Sequence, residues 1–203
     1  MSDARAAILS RLRAGPRLAV PERPHWTPPA FNDRLERFRS MIEAVHGEVH
    51  ETTAQDWRAL LHRILSEKGV GRVMAAPDLA LDWPDTVAYD QSVEALKDQL
   101  VAGIDAGVTR ARAAIAETGS LVLWPDADEP RLLSLLPPIH VVLLEQGSIV
   151  DNLAGLMAQQ GWAGSMPTNA LLISGPSKTA DIEQTLAYGV HGPKELVVLV
   201  LKS

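Results

Sequence analysis

Apolar residues recur at helical spacing in some stretches of the chain and in short strand-sized runs in others, and strands and helices alternate more clearly in the second half. Residues 2–14 read as a short helix with Ala7, Ile8, Leu9 and Leu12 on its apolar side. Residues 15–30 then hold five prolines in sixteen positions. Each removes a backbone donor and fixes φ, which makes this stretch an extended linker. Asp33 with Glu36 three residues on is a capping-box pattern opening a helix over 34–46, with Gly47 as its stop. Thr53 and Asp56 do the same for 57–68, closed by Gly69. Strand-sized apolar stretches are predicted at 48–52, 72–76 and 86–90, and Ser92 caps a helix over 93–100.

The second half alternates strands and helices. Strands are predicted over 108–116 and 120–124, joined through Glu117, Thr118 and Gly119, and a buried strand over 139–144. Ser148 and Asp151 are expected to cap a helix over 149–160. A strand over 170–174, a helix over 177–188 and a final strand over 195–201 complete the chain. This order argues an α/β domain: a three-layer α/β/α sandwich with a mainly parallel sheet and helices on both faces. It is expected over residues 31–203, preceded by the helical arm and linker of residues 1–30.

Composition narrows the function. At 46% hydrophobic and 22% charged, 203 residues bury a real core. The absence of cysteine excludes a disulfide framework, a cysteine nucleophile and an iron–sulfur cluster held on thiolates of this chain. Residues 1–63 carry ten Lys and Arg against eight Asp and Glu, whereas the remainder carries nine against seventeen. An acidic body with two Phe and two Tyr does not suit nucleic acid. No apolar run reaches a membrane span and no signal peptide is visible, so a cytoplasmic location is expected.

Ligands of open α/β sheets bind where strands end and helices begin, and three segments present chemistry there. In the first, Ile173 leads through Ser174, Gly175, Pro176, Ser177, Lys178 and Thr179 to Asp181 and Glu183. Read as strand, turn and helix start, it offers free amides, hydroxyls and an ammonium to an anion. A capping role for Ser177 or Thr179 is equally open, with Asp181 and Glu183 complementing the helix dipole. Leu172 and Ser177 stand where a P-loop needs glycine. In the second segment, Glu117 lies between two apolar strands; a part-buried carboxylate there would serve as base, nucleophile or anchor, and one facing water as an ordinary turn. Arg110 and Arg112 on the preceding strand offer positive charge or a solvated face. The third is histidine. His191 stands in a loop bent by Gly189, Gly192 and Pro193, and His140 opens a strand, while His25, His46, His50 and His62 have no supporting context. No metal-ligand spacing links them, and no metal is expected.

The stretch from Ala114 to Leu123, the run Arg131 to Pro137 with His140, the stretch from Ile173 to Glu183 and the loop Gly189 to Pro193 together resemble the LUD domain family, and within it the lactate utilization branch. The likeness is fullest over residues 101–202. It implies a fold similar to the NagB/RpiA/CoA-transferase group and a role in bacterial oxidation of L-lactate to pyruvate. It also implies cysteine-rich iron–sulfur partner subunits, consistent with a chain that holds no redox cofactor itself. Glu117-Thr118-Gly119 resembles the Glu-Asn-Gly turn of CoA transferases with Thr in place of Asn. On this basis Glu117 and His191 are candidate catalytic groups. Thr118, Gly119, Ser120, Ser174, Gly175, Ser177, Lys178 and Thr179 are candidate contacts to a small anionic ligand. Two other expectations stand beside this one: an independent enzyme acting on a phosphorylated or CoA-linked small molecule, and a non-catalytic regulatory or scaffold module docking through its arm.

Overall fold

A computed structural model describes residues 2–16, 22, 26–180 and 186–202. Its centre is a six-stranded, all-parallel sheet in the order β1-β12-β7-β4-β2-β3. The strands are β1 (Glu48–Thr53), β2 (Val73–Ala75), β3 (Thr86–Ala88), β4 (Ala106–Arg110), β7 (Ile139–Glu145) and β12 (Glu195–Lys202). The apolar runs of β7 and β12 follow from burial on both faces. Val197, Leu199 and Leu201 pack with Ile139, Val141 and Leu143 under α3 (Trp57–Glu67). Leu196, Val198 and Val200 pack with Val142 and Leu144 on the other face, under Phe38 and Ile42 of α2 (Arg34–Glu43).

The parallel sheet with helices on both faces is as expected, and the second face carries a further sheet beside its helices. This face is shared by α2, by α4 (Val93–Ala102) and by a four-stranded sheet in the order β8-β5-β6-β9. The small sheet consists of β5 (Ala113–Ile115), β6 (Ser120–Leu123), β8 (Ile149–Val150) and β9 (Leu171–Ile173). Its outer face is covered by Leu156 of α5 (Leu153–Gln159) and by Trp162.

Three predicted elements are corrected. Residues 108–116 form two strands, because the Ala111 amide still donates to Leu143 of the large sheet (2.8 Å) whereas the Arg112 amide donates to Val122 of the small one (2.8 Å). The helix expected over 149–160 begins later. Ile149 and Val150, both β-branched at Cβ or stiff at χ1, pair with Ala114 and Ile115, and Asn152 is the cap, its side chain accepting from Gly155. Asp151 instead accepts from the Phe31 amide (2.9 Å) and from Arg34 (2.7 and 3.0 Å), which holds its carboxyl below the usual range and pins the end of the linker. In place of the helix expected over 177–188, β10 (Lys178–Ala180) and β11 (Leu186–Tyr188) pair antiparallel. Asp181, Ile182 and Glu183 lie outside the described residues, as does His25.

Elsewhere the expected caps are present. Asp33 and Ser92 accept from the amides three residues on. At Asp56, by contrast, the amide is held by Thr53 and the Asp56 side chain makes no cap bond. Helix α2 stops at Glu43, and the left-handed residue past its end is His46 (φ 68°), not Gly47. The arm helix α1 (Ser2–Ala14) is present with Ile8 and Leu12 exposed.

Lys68, just past α3, bridges Glu48 at 2.6 Å and Glu195 at 2.5 Å, tying the starts of β1 and β12 together. Burial alone would lower the Lys68 pKa, but these two hydrogen bonds hold it above the ordinary value.

Gly107 in β4 lies under Leu133 of a 3-10 turn (Arg131–Ser134); a Cβ there would sit 2.3 Å from the Leu133 carbonyl oxygen. Gly107→Ala is expected to destabilise the fold by about 1–3 kcal/mol through overpacking, read as a lower urea midpoint.

Candidate functional site

The hydrogen-bond register sets the floor of the site. His140 of β7 stands opposite Leu196 of β12 and Gly107 of β4, on the sheet face that carries α2. Because position 107 has no side chain, the 3-10 turn descends onto the sheet and brings Ser134 and Leu135 beside His140. The opposite wall is the chain leaving β9, with Leu172, Ile173, Ser174, Gly175 and Ser177. His191, Gly192 and Pro193 complete a cavity of about 220 Å³.

His140 is 1% exposed. Its Nε2 lies 2.9 Å from Oγ1 of Thr109, which is 2% exposed, and its Nδ1 has no hydrogen-bond partner among the described residues. Burial pushes its pKa down to about 3, so the ring is neutral at physiological pH. A hydroxyl chain runs into the wall from the turn after β5: Thr118 Oγ1 is 2.7 Å from Ser120 Oγ, which is 2.7 Å from Ser174 Oγ.

Both turns rest on the end of α2. Gly119 (φ 63°) lies so close that a Cβ would meet Met41 Cβ at 2.5 Å, and a Cβ on Gly175 (φ 145°) would meet Val45 at 2.7 Å. Arg37 of α2 donates to the Glu117 carbonyl oxygen at 3.4 Å, and the Glu117 amide donates to the Asp151 carbonyl.

The candidates therefore divide. Ser174, Gly175, Ser177 and His191 line the cavity, and Thr118 and Ser120 reach it through hydrogen bonds. Glu117 is half-buried in the adjoining turn and, with Gly119, is not a lining residue. Lys178 and Thr179 lie on β10, and Lys178 is exposed and outside the cavity wall. The free helix amides expected around Ser177 are absent: its amide donates to Pro193 O (2.8 Å) and its carbonyl accepts from Gly189 (2.9 Å). Thr109 and Ser134 are contributors that sequence reading missed. The alternation of β4 and β7 across the sheet is the signal that pairs Thr109 with His140.

The site also lies at the amino-terminal half of β7 and β12, not at the strand carboxyl ends. A second hollow does occupy the carboxyl end of β4, where the strand order reverses between β2 and β4. Its cations are already engaged. Arg110 pairs with Asp78 (3.1 Å) and Glu129 (3.0 Å), and Arg112 lies 3.7 Å over the Trp124 ring while donating to Gln160. Among the described residues no group of three or more acidic or histidine side chains is placed to hold a metal, and no helix is long and apolar enough to cross a membrane.

The LUD domain profile matches residues 35–201, most of the chain. The chain belongs to the LUD domain family. It is 34% identical over 180 residues to an uncharacterized protein of Neisseria meningitidis serogroup B, a match covering 83% of this chain and 77% of that one. It is 28% identical over 200 residues to lactate utilization protein C of Macrococcus caseolyticus, covering 89% and 87%. The crystal structure of a DUF162 family protein from Deinococcus radiodurans superposes with a TM-score of 0.64 at 23% identity, over 86% of this chain and 99% of that one, a likeness of fold. In this LUD domain the four segments that carried the family resemblance lie in or beside one cavity: the turn after β5, the run before β7, the chain after β9 and the loop before β12.

The buried His140 has a pH signature. Its folded pKa lies below the 6.5 of the unfolded chain, so the unfolded state binds the extra proton between those values. Its stabilising contribution is full above pH 6.5 and is lost as pH falls toward 3. At pH 5 the loss is about 2 kcal/mol. Urea unfolding at pH 7 and pH 5 should show this drop in the wild type and a smaller one in His140→Gln, the difference isolating His140 from the carboxylates.

Proposed function

We propose that this LUD domain protein is a subunit of a bacterial lactate utilization system, without an iron–sulfur cluster of its own, that holds a small monocarboxylate in the cavity beside His140. The system oxidises L-lactate to pyruvate in the cytoplasm, and the redox centres sit on cysteine-rich partners. The observation that carries the ligand reading is the lining itself. Ser134, Ser174, Ser177, His140 and His191 line a volume well below that of drug-sized pockets, and among the described residues no lysine or arginine lines it. A monoanion is held by hydrogen bonds in such a place, whereas a phosphate dianion lacks its countercharge. This sets the reading above that of an independent enzyme on phosphorylated or CoA-linked molecules. Membership of the family, the names of relatives such as that of Macrococcus caseolyticus, and the lack of cysteine support the place in lactate metabolism.

Within this reading Glu117 and His191 are the candidate reactive groups. His191, an exposed lining residue, is the group proposed to meet the carboxylate. Glu117 acts through the turn it shares with Thr118 and Gly119.

Deleting the gene in a strain with no second copy should abolish growth on L-lactate as sole carbon source, and the tagged protein should co-purify with brown, cysteine-rich partners. Normal growth of the deletion strain overturns the reading. In calorimetric titration with sodium L-lactate and sodium pyruvate, Ser174→Ala should weaken binding by about 1 kcal/mol, one hydrogen bond. Lys178→Ala should leave affinity within about twofold, as for an exposed residue off the site.

A further inference from the structure

The pairing of His140 with Thr109 decides which atom the cavity offers, and this inference rests on the ligand reading above. Two arrangements fit the 2.9 Å contact. If Nε2–H donates to Thr109, the buried hydroxyl proton has no acceptor among the described residues and the Nδ1 lone pair has no donor, leaving two buried groups unsatisfied. If the Thr109 hydroxyl donates to Nε2, the hydroxyl is satisfied and the single proton of the neutral ring must sit on Nδ1. One group then remains, an N–H without an acceptor among the described residues and itself shielded from solvent, on a residue of the cavity wall. Each unsatisfied buried group is costly, so the second arrangement prevails.

We propose that Thr109 locks His140 as the Nδ1–H tautomer, and that this N–H is the fixed donor that anchors a carboxylate or carbonyl oxygen of the ligand. Among the described residues the lining contains no carboxylate, lysine or arginine side chain to compete for it, and His191 is the other titratable one. A neutral N–H in a lining that also contains Leu135 and Leu196 donates to a ligand oxygen and rejects an ammonium group. The class selected is therefore a small oxo- or hydroxy-carboxylate in preference to the corresponding amino acid. His140 is on this account a specificity-determining residue, and Thr109 a positioning residue that acts through it.

The test is nitrogen NMR on the full ¹⁵N-labelled chain. Long-range proton–nitrogen spectra at pH 7 should show His140 protonated on Nδ1, and Thr109→Val should abolish that preference. An Nε2–H ring in the wild type overturns the proposal without bearing on ligand binding. Adding sodium L-lactate or sodium pyruvate should shift the His140 Nδ1 resonance, L-alanine should bind at least about tenfold more weakly, and His140→Leu should lower L-lactate affinity about tenfold. Binding that leaves the Nδ1 resonance unmoved, or equal affinity for L-alanine, overturns the anchoring role while the ligand reading stands. An Nδ1–H ring with no response to any of these compounds overturns the ligand reading and the anchoring role with it. The wild-type spectra decide the matter even where a variant fails to fold.

Discussion

The insertion of β12 between β1 and β7 is the constraint on which the rest of the structure depends. Leu196 through Val200 are essentially inaccessible to water, with alternate side chains committed to opposite faces. A parallel strand cannot be paired by a tight turn, so its neighbours arrive from distant sequence: β1 lies some 150 residues earlier and β7 more than 50. The register that this strand imposes places Leu196 beside His140, and the same ladder carried one strand further places Gly107 there too. The floor of the cavity is thus a by-product of strand pairing rather than of any local motif.

Packing then converts a flat sheet into a site. One face of the large sheet is covered by α3 in the ordinary manner of α/β folds. The other is shared by α2, α4 and the second sheet. The cavity beside His140 is walled largely by turns, and turns bring glycines, hydroxyls and free main-chain geometry to a place where a helix would present a closed surface. Burial of His140 and Thr109 beneath these turns removes water from the one polar pair on an otherwise apolar floor, so the protonation state of the ring is set by its surroundings rather than by solvent.

Much of the architecture was legible from local signals. The apolar runs of β7 and β12 announce strands buried on both faces, and the caps at Asp33 and Ser92 are physical devices acting within three residues. What misled was also local. Ser177, Lys178 and Thr179 after a glycine and a proline look like a helix start, yet the bonds that decide their fate run from Ser177 to Pro193 and Gly189, across the sheet-closing loop. Lys178, which a helix start would aim at an anion, lies exposed on β10 and off the cavity wall. His140 was visible as a lone polar residue opening a buried strand, but its partner Thr109 is 31 residues away and belongs to another strand. The likeness to the LUD family drew together loops that lie in or beside one cavity because inheritance records such long-range pairings, and the profile match covers residues 35–201.

The two glycine turns lean on neighbouring residues of one helix end, Gly119 on Met41 and Gly175 on Val45. A bulkier residue in either turn displaces that helix end and so disturbs the other turn, although the two turns are more than fifty positions apart. Positions 41, 45, 119 and 175 are therefore a unit of inheritance. Across the family they should covary, with size changes in the helix tracked by changes in both loops, and chimaeras that exchange one loop alone should lose the shape of both.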